Sequence, residues 1–427
     1  MLISHAFVSV VAALNLGQPP AAAPGTPAEP LDWKRLEAPY LTGHVQLTFP
    51  EQFVRAGEAY FSPDGEWIVF QAVPRPAAGE EPDPFYAMYV ARLVRAHGRV
   101  TGLDSVTRIS PKDSANTCGW FHPSDPNTVL MGSTVVRPSD DQKSGFQVGE
   151  RKYRWMFPAE MEVVEVHPFF MGGGIASPDG RTPGRSFRGG AREQIGKPTP
   201  VFSRPNYDAE CSYDSTGRFV LYSHVEDALA MGRADANIYV YDTVKKTHTP
   251  LVAAGGYDGG PFFGPGDGWI TYRSDRKGDD LLQLFVADIR HEKDEHGVNV
   301  PVGIEKEYQL TNNEHVNWCP FWHPSGEFLV YATSEVGHHN YEVFAIETPV
   351  WKLKNGSVKP EALRRVRITH ADGADVLPAF SADGRWMMWT SSRGAKMDGE
   401  TRPSSQLWIA EWAGGQGANP FAGGAER

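Results

Sequence analysis

Tyr60-Phe-Ser-Pro-Asp-Gly65, with the run Trp67-Ile-Val-Phe70 close behind, sets an aromatic pair, a tight turn and an apolar strand within eleven residues. Pro presets φ and Gly or Asp accepts left-handed geometry, so the phrase reads as one strand entering a hairpin and the next leaving it. Five variants follow: Trp120-Phe-His-Pro-Ser-Asp125, Ser212-Tyr-Asp-Ser-Thr-Gly217, Phe262-Phe-Gly-Pro-Gly-Asp267, Phe321-Trp-His-Pro-Ser-Gly326 and Ala379-Phe-Ser-Ala-Asp-Gly384. The second residue of each phrase, aromatic in all six, serves as an anchor. The run after it ends nine residues later at Phe70, Tyr222, Tyr272, Tyr331 and Trp389, and ten residues later at Met131 in the second repeat.

Each unit holds two further strands. One is carried by segments such as Tyr86-Ala-Met-Tyr-Val90, Asn237-Ile-Tyr-Val-Tyr241 and Gln406-Leu-Trp-Ile409. A short one precedes each anchor, as in Gln46-Leu-Thr48, Gln309-Leu-Thr311 and Arg367-Ile-Thr369. Four strands in each of six units predict an all-β chain, a six-bladed β-propeller of four-stranded antiparallel blades. The last unit lacks its fourth strand and a spare one stands before the first. The N-terminal strand near Val45 is therefore expected to complete the last blade and remove two open edges together.

The phrases Gln309-Leu-Thr311, Phe61-Ser-Pro-Asp-Gly65, Ser274-Asp-Arg276 and Ile238-Tyr-Val240 resemble the repeat of the TolB-like propeller family over residues 44–412. The resemblance implies an extracytoplasmic module that binds a protein, peptide or glycan. Related repeats also occur in oligogalacturonate lyase, which makes a metal-dependent lyase or hydrolase the alternative. A propeller-bearing serine peptidase would need a G-x-S-x-G elbow, which the sequence does not contain.

Outside the repeats, Leu2–Leu16 is mostly apolar and leads to Ala21-Ala-Ala23, as in an export signal over residues 1–23. A Pro-rich linker is expected over 24–43 and a flexible Gly/Ala-rich tail over 413–427. Periplasmic or other export follows. No later stretch is apolar enough to span a membrane. A net charge of −11 without a basic run argues against nucleic acid as a partner. The three cysteines, Cys118, Cys211 and Cys319, have no metal-site or disulfide-framework spacing. The expected state is a monomer.

In a four-stranded meander, the loops entering the first strand and leaving the second share one face. That face gathers Asp208, Glu210, Asp258, Arg273, Asp275, Arg276, His315, Asn317, His338, Asn340, Glu342 and Asp375 as candidate ligand-binding residues at the channel mouth, with Asp372 and Arg393 beside them. No catalytic residue and no cofactor is assigned. Under the alternative, a divalent metal would use His315, His338 and His339. His122 and His323 replace Ser in the opposite turns and are expected to serve structure; His167 and His370 stand isolated. An insertion at 134–160, bearing Tyr153, Trp155, Met156 and Phe157, is expected to overhang the mouth, and one at 167–200 falls on the other face.

Overall fold

A computed structural model describes residues 32–125, 127–139, 145–147, 152–154, 157–167, 197–227, 235–413 and 419–422. The expected export segment, part of the insertion at 134–160, most of that at 167–200 and part of the tail lie outside these residues.

Six four-stranded antiparallel sheets form the blades. Their first strands, called A, run Phe53–Phe61, Asn116–Phe121, Asp208–Tyr213, Asp258–Phe263, Asn317–Trp322 and Asp375–Phe380. Each pairs with a second strand, B, built on the apolar run after the turn, and B pairs with a third, C. The repeat that resembles the TolB-like phrase thus builds a six-bladed propeller. Closure is as expected: Leu41–Gln46 pairs antiparallel with Gln406–Trp412, with Leu41 opposite Trp412 and Val45 opposite Ile409.

The recurring aromatics hold blade to blade. Phe70, Tyr222, Tyr272, Tyr331 and Trp389 are wholly buried, and Met131 fills the same place in blade two. One cluster joins Phe53, Ile68 and Tyr89 of blade one to Met388, Leu407 and Ile409 of blade six, so the closing seam is packed like any other. His122 and His323 do serve structure. A Cβ on Gly217 would lie 2.3 Å from the His122 ring, and one on Gly384 would lie 2.8 Å from His323, so each imidazole fills the notch left by glycine in the next turn of its face. Burial pushes the His323 pKa down to about 4, which keeps the packed ring neutral.

The lead-in to the closing strand is more ordered than the linker expected over 24–43. Trp33–Glu37 is a short helix and the strand begins at Leu41. Glu37 is fully buried and accepts hydrogen bonds from Arg393 at 2.9 and 3.0 Å and from the His370 amide at 2.7 Å, while His44 lies 2.8 Å away. The Arg393 guanidinium lies 4.4 Å from the Trp33 ring centroid and 2.6 Å from Asp375. Burial alone would raise the Glu37 pKa, but His44 and Arg393 outweigh it and hold it below the ordinary value. Near the other terminus, where a flexible tail was expected, Phe421 is buried against Phe328 with the Arg364 guanidinium over its ring. An aromatic residue in a Gly/Ala-rich segment is enough to dock it.

Removing Glu37 leaves the buried Arg393 guanidinium with Asp375 as its carboxylate and takes the acceptor from the His370 amide. Glu37→Ala is expected to cost about 1–3 kcal/mol in urea unfolding near neutral pH, the range for leaving buried donors unsatisfied. Because the folded pKa lies below the unfolded one, the contribution of Glu37 is present above about pH 4.5 and fades as the pH falls. An unchanged urea midpoint would refute the latch.

Candidate functional site

Every A strand carries the same irregularity. Its ladder to B slips between Gly57 and Ala59, Thr117 and Trp120, Ala209 and Ser212, Gly259 and Phe262, Trp318 and Phe321, and Val376 and Ala379. At each slip one residue adopts left-handed φ: Glu58 (42°), Cys118 (51°), Glu210 (56°), Gly260 (58°), Cys319 (48°) and Leu377 (55°). All six stand three residues before the anchor aromatic. A β-bulge re-aims a side chain, and six of them around one axis form a ring whose members all line a single cavity of about 360 Å³, with Cys118 and Cys319 both in its wall. Five non-glycine residues with φ of this sign mark stored strain, which the surrounding sheets must hold in place.

Two residues beyond each bulge the side chains meet across the axis. Tyr60, Trp120, Phe262 and Phe321 pack with ring centroids 5.2 to 6.2 Å apart, floored by the small Ser212 and Ala379 at the same offset in blades three and six. This plug ends the cavity toward the A–B hairpins. Its walls are aromatic as well, with Phe85, Tyr86, Phe157, Tyr207 and Trp318. Phe157, from the expected overhanging insertion, packs edge-on to Tyr207 at 5.0 Å; Tyr153, Trp155 and Met156 carry no described side chain.

Within this ring the polar groups are unequal. The Glu210 carboxylate accepts hydrogen bonds from the Tyr257 hydroxyl at 2.6 Å, the Gly260 amide at 2.5 Å and Arg273 at 3.2 Å. Arg273 also donates to Tyr257 at 2.7 Å. Blade four has glycine in the ring because a Cβ at 260 would stand 1.9 Å from Arg273 Nη1, so the guanidinium occupies the place of that missing side chain. Burial would lower the Arg273 pKa, but Tyr257 and Glu210 outweigh it and hold the charge firmly. Glu58 has weaker company: the Cys118 thiol donates at 2.9 Å, the Tyr60 hydroxyl at 3.3 Å and the Thr117 hydroxyl at 3.4 Å. Its pKa is raised, first by burial, although Cys118 pulls the other way.

Of the residues expected at the mouth, Glu210 and Arg273 line the cavity. The others are placed on the expected face but bonded within or between blades. Asp208 meets His224 at 2.9 Å; Asp258 accepts the Ala254 amide at 2.9 Å and Arg276 at 3.2 Å; Asp375 accepts Trp389 Nε1–H at 3.2 Å. Asn317 donates to Asn313 at 2.8 Å, Asp275 accepts the Tyr257 amide at 2.7 Å, and Arg276 also donates to Glu307. These are first residues of A, or residues just past B, turned into the sheet. His338 lies 3.5 Å from the Tyr341 hydroxyl, and its pKa is lowered by burial, then by His339 and His315. The Asn340 amide donates to Gly337 at 3.1 Å, and the His315 amide to Asn313 at 3.1 Å. Among the described residues no three His, Cys, Asp or Glu side chains are arranged to hold a metal ion, so His315, His338 and His339 do not fit that role together. The metal-dependent reading therefore has no ligand set to rest on among them. Glu58, Gln71, Cys118, Tyr257 and Trp318 were not anticipated. The fixed offset of three before the anchor is the signal that finds the ring.

Glu342 opens strand C of blade five, where blades four and six have Gln283 and Gln406. It accepts hydrogen bonds from Thr369 and Arg367 at 2.6 Å, yet burial and the neighbouring Asp375 push its pKa up to about 9. The native state keeps a proton that the unfolded chain loses near 4.5, so this contribution is full below about pH 4.5 and is lost as pH climbs toward about 9. Glu342→Gln is expected to flatten the decline of stability across that window in urea titrations; an unaltered slope would show the carboxyl to be ionised in the fold.

No family model matches the chain, and no curated protein matches its sequence. Among solved structures, a protein assigned as TolB from Agrobacterium tumefaciens aligns at 14% identity over 85% of this chain and 91% of its own, with a TM-score of 0.45. TolB from Acinetobacter baumannii aligns at 12% over 85% of this chain and 64% of its own, with a TM-score of 0.40. Oligogalacturonate lyase from Vibrio parahaemolyticus aligns at 10% over 86% and 92%, with a TM-score of 0.43. These are likenesses of fold and leave the occupant of the channel to the chemistry of its own walls.

Proposed function

We propose that the chain is a non-catalytic, exported binding module that takes a segment of a protein, peptide or glycan at the channel mouth. The observation that carries the reading is the cavity itself: about 360 Å³, floored by an aromatic plug, walled by Trp318, Tyr207 and Phe157, and holding Glu58, Glu210 and Arg273 at its centre. Mostly apolar walls with a few fixed polar groups are the ordinary composition of a recognition site. Rings give contact area at little entropic cost, and buried charges give orientation. The strain at the bulges has a purpose under this reading, since it aims side chains at the axis that a regular strand would direct elsewhere.

No group in the ring is activated as a nucleophile. Burial raises the Cys118 and Cys319 thiols, Cys319 to about 12, so neither is a thiolate near neutral pH. Tyr257 is likewise raised, first by burial, despite the opposing pull of Arg273. Export remains part of the proposal and rests on the apolar N-terminal stretch. No helix among the described residues is long and apolar enough to cross a membrane.

The test is a screen of peptide and oligosaccharide arrays with the purified chain beside Trp318→Ala. Trp318 is half-buried in the wall, so its loss should leave the melting temperature within a few degrees while weakening genuine ligands about tenfold or more, as for a buried aromatic anchor. Hits that survive Trp318→Ala unchanged would place recognition elsewhere on the molecule.

A further inference from the structure

Two acceptors in the cavity wall stand out by what they lack. Among the described residues Glu58 carries the one carboxylate of the ring that hydrogen-bonds no cation; its partners are a thiol and two hydroxyls. Gln71, opposite Gly57 in the blade-one ladder, is 8% exposed and lines the same cavity, and its Oε1 accepts no hydrogen bond. A buried acceptor without a donor has lost its water and gained nothing in return, so a fold that keeps one in the same cavity as a carboxylate gains when a donor arrives. The two are independent observations, one on strand A and one on strand B.

The placement of Glu58 is enforced. Its amide donates to Thr390 Oγ1 at 3.0 Å from the closing blade, and a Cβ on Gly57 would lie 2.8 Å from the same oxygen. Only glycine at 57 lets blade one approach blade six closely enough to hold the bulge. The same cavity is lined by the rings of Tyr60, Tyr86 and Trp318, whose faces carry negative quadrupole density, and the Arg55 guanidinium already lies 4.5 Å from the Tyr86 centroid. Arg273 is paired with Glu210 and Tyr257 and acts on Glu58 through its charge without a hydrogen bond, an attraction that burial outweighs.

Resting on the binding reading above, we infer that the cavity receives a single organic cation, an ammonium or guanidinium group on an unbranched alkyl stem, with Glu58 as counter-ion, Gln71 as second acceptor and the rings around the stem. An anion would meet Arg273 already held by Glu210 and Arg55 already lying over the Tyr86 ring and donating to the Pro84 carbonyl, and would face two carboxylates. A cation meets a carboxylate that hydrogen-bonds no other cation, a buried amide oxygen that lacks a donor, and aromatic rings. The groups that face Glu58 are Cys118, Tyr60, Thr117, Glu210 and the cation Arg273, and Gln71 and a second cation, Arg55, lie in the same cavity wall.

Burial raises the Glu58 pKa, and a cation bound beside the carboxylate would favour its ionised form and release any proton it carries. Affinity should therefore rise with pH until Glu58 is fully ionised.

The experiment is calorimetric titration of the full chain with n-butylammonium, n-butylguanidinium and acetyl-Gly-Lys-Gly-amide, with butyrate and n-butanol as controls, at about pH 6 and pH 8. At least one cation should bind while both controls fail, and its affinity should increase severalfold at the higher pH. Binding of the peptide as well as the free amines assigns the cation to a lysine side chain; binding of the free amines alone assigns it to a small amine, and either supports the inference. Glu58→Gln should weaken the cation at least tenfold and abolish the pH effect, and Gln71→Met should weaken it severalfold; melting curves establish that both variants fold. Cations that bind Glu58→Gln equally well, preferential binding of butyrate, or no binding by any cation would each overturn the inference. Array ligands that depend on Trp318 in those cases would leave the broader binding function standing, whereas absence of any Trp318-dependent ligand removes both.

Discussion

The pairing of Leu41–Gln46 with Gln406–Trp412 is the constraint on which everything else in the molecule rests. Five complete sheets and one incomplete sheet would leave two unpaired edges and an open seam, and no closed channel would exist. The hydrogen-bond ladder alone is short and slips between Thr42 and Val45. It is reinforced by Glu37, Arg393 and Asp375, which tie the lead-in helix to the sheet it completes, and by the apolar seam from Phe53 to Ile409. Contacts between residues more than 350 positions apart must form before this blade exists. Long-range closure of this kind is entropically slow, so the first strand spends much of folding as a bare edge.

Closure also sets the geometry of the interior. With six sheets around an axis, each innermost strand has little room, and a regular alternation would send every second side chain into the same crowded line. The bulges resolve this by turning one residue per blade inward at a single level and placing the next inward residue at the plug. The cost is left-handed backbone at Glu58, Cys118, Glu210, Cys319 and Leu377, met by the ladders on either side of each slip. The site and the closing blade are directly linked at Thr390, whose hydroxyl accepts the Glu58 amide.

The fold was legible because its signal is periodic and local. Each Pro-Asp-Gly type turn fixes a hairpin, and the nine-residue interval from Phe61 to Phe70 or from Trp322 to Tyr331 is the path from one strand to the buried end of the next. The face was legible too, since it follows from the order of strands in a meander. What sequence could not tell was which polar residues on that face turn inward. Asp258 and Asp375 stand two residues before the ring positions of their strands, yet they bond Arg276 and Arg393 instead of lining the cavity. The inward direction depends on a backbone φ that glycine alone advertises, and in this ring only Gly260 is glycine. Glu58 looks like an ordinary polar residue inside a strand until its conformation is known.

Arg273 in the place of a side chain at 260 breaks what would otherwise be a near-sixfold arrangement. A propeller repeats its backbone at every blade, so a channel lined by six equal residues would accept a guest in six equivalent rotational settings. Here the level of the ring reads carboxyl, thiol, carboxylate, guanidinium, thiol and hydrocarbon in passing from blade one to blade six. The charged groups stand at blades one, three and four and the hydrocarbon of Leu377 at blade six, so the ring has no rotational symmetry. A polar guest can therefore be clocked into one azimuth, and a symmetric scaffold delivers an orientation that its symmetry alone could never specify.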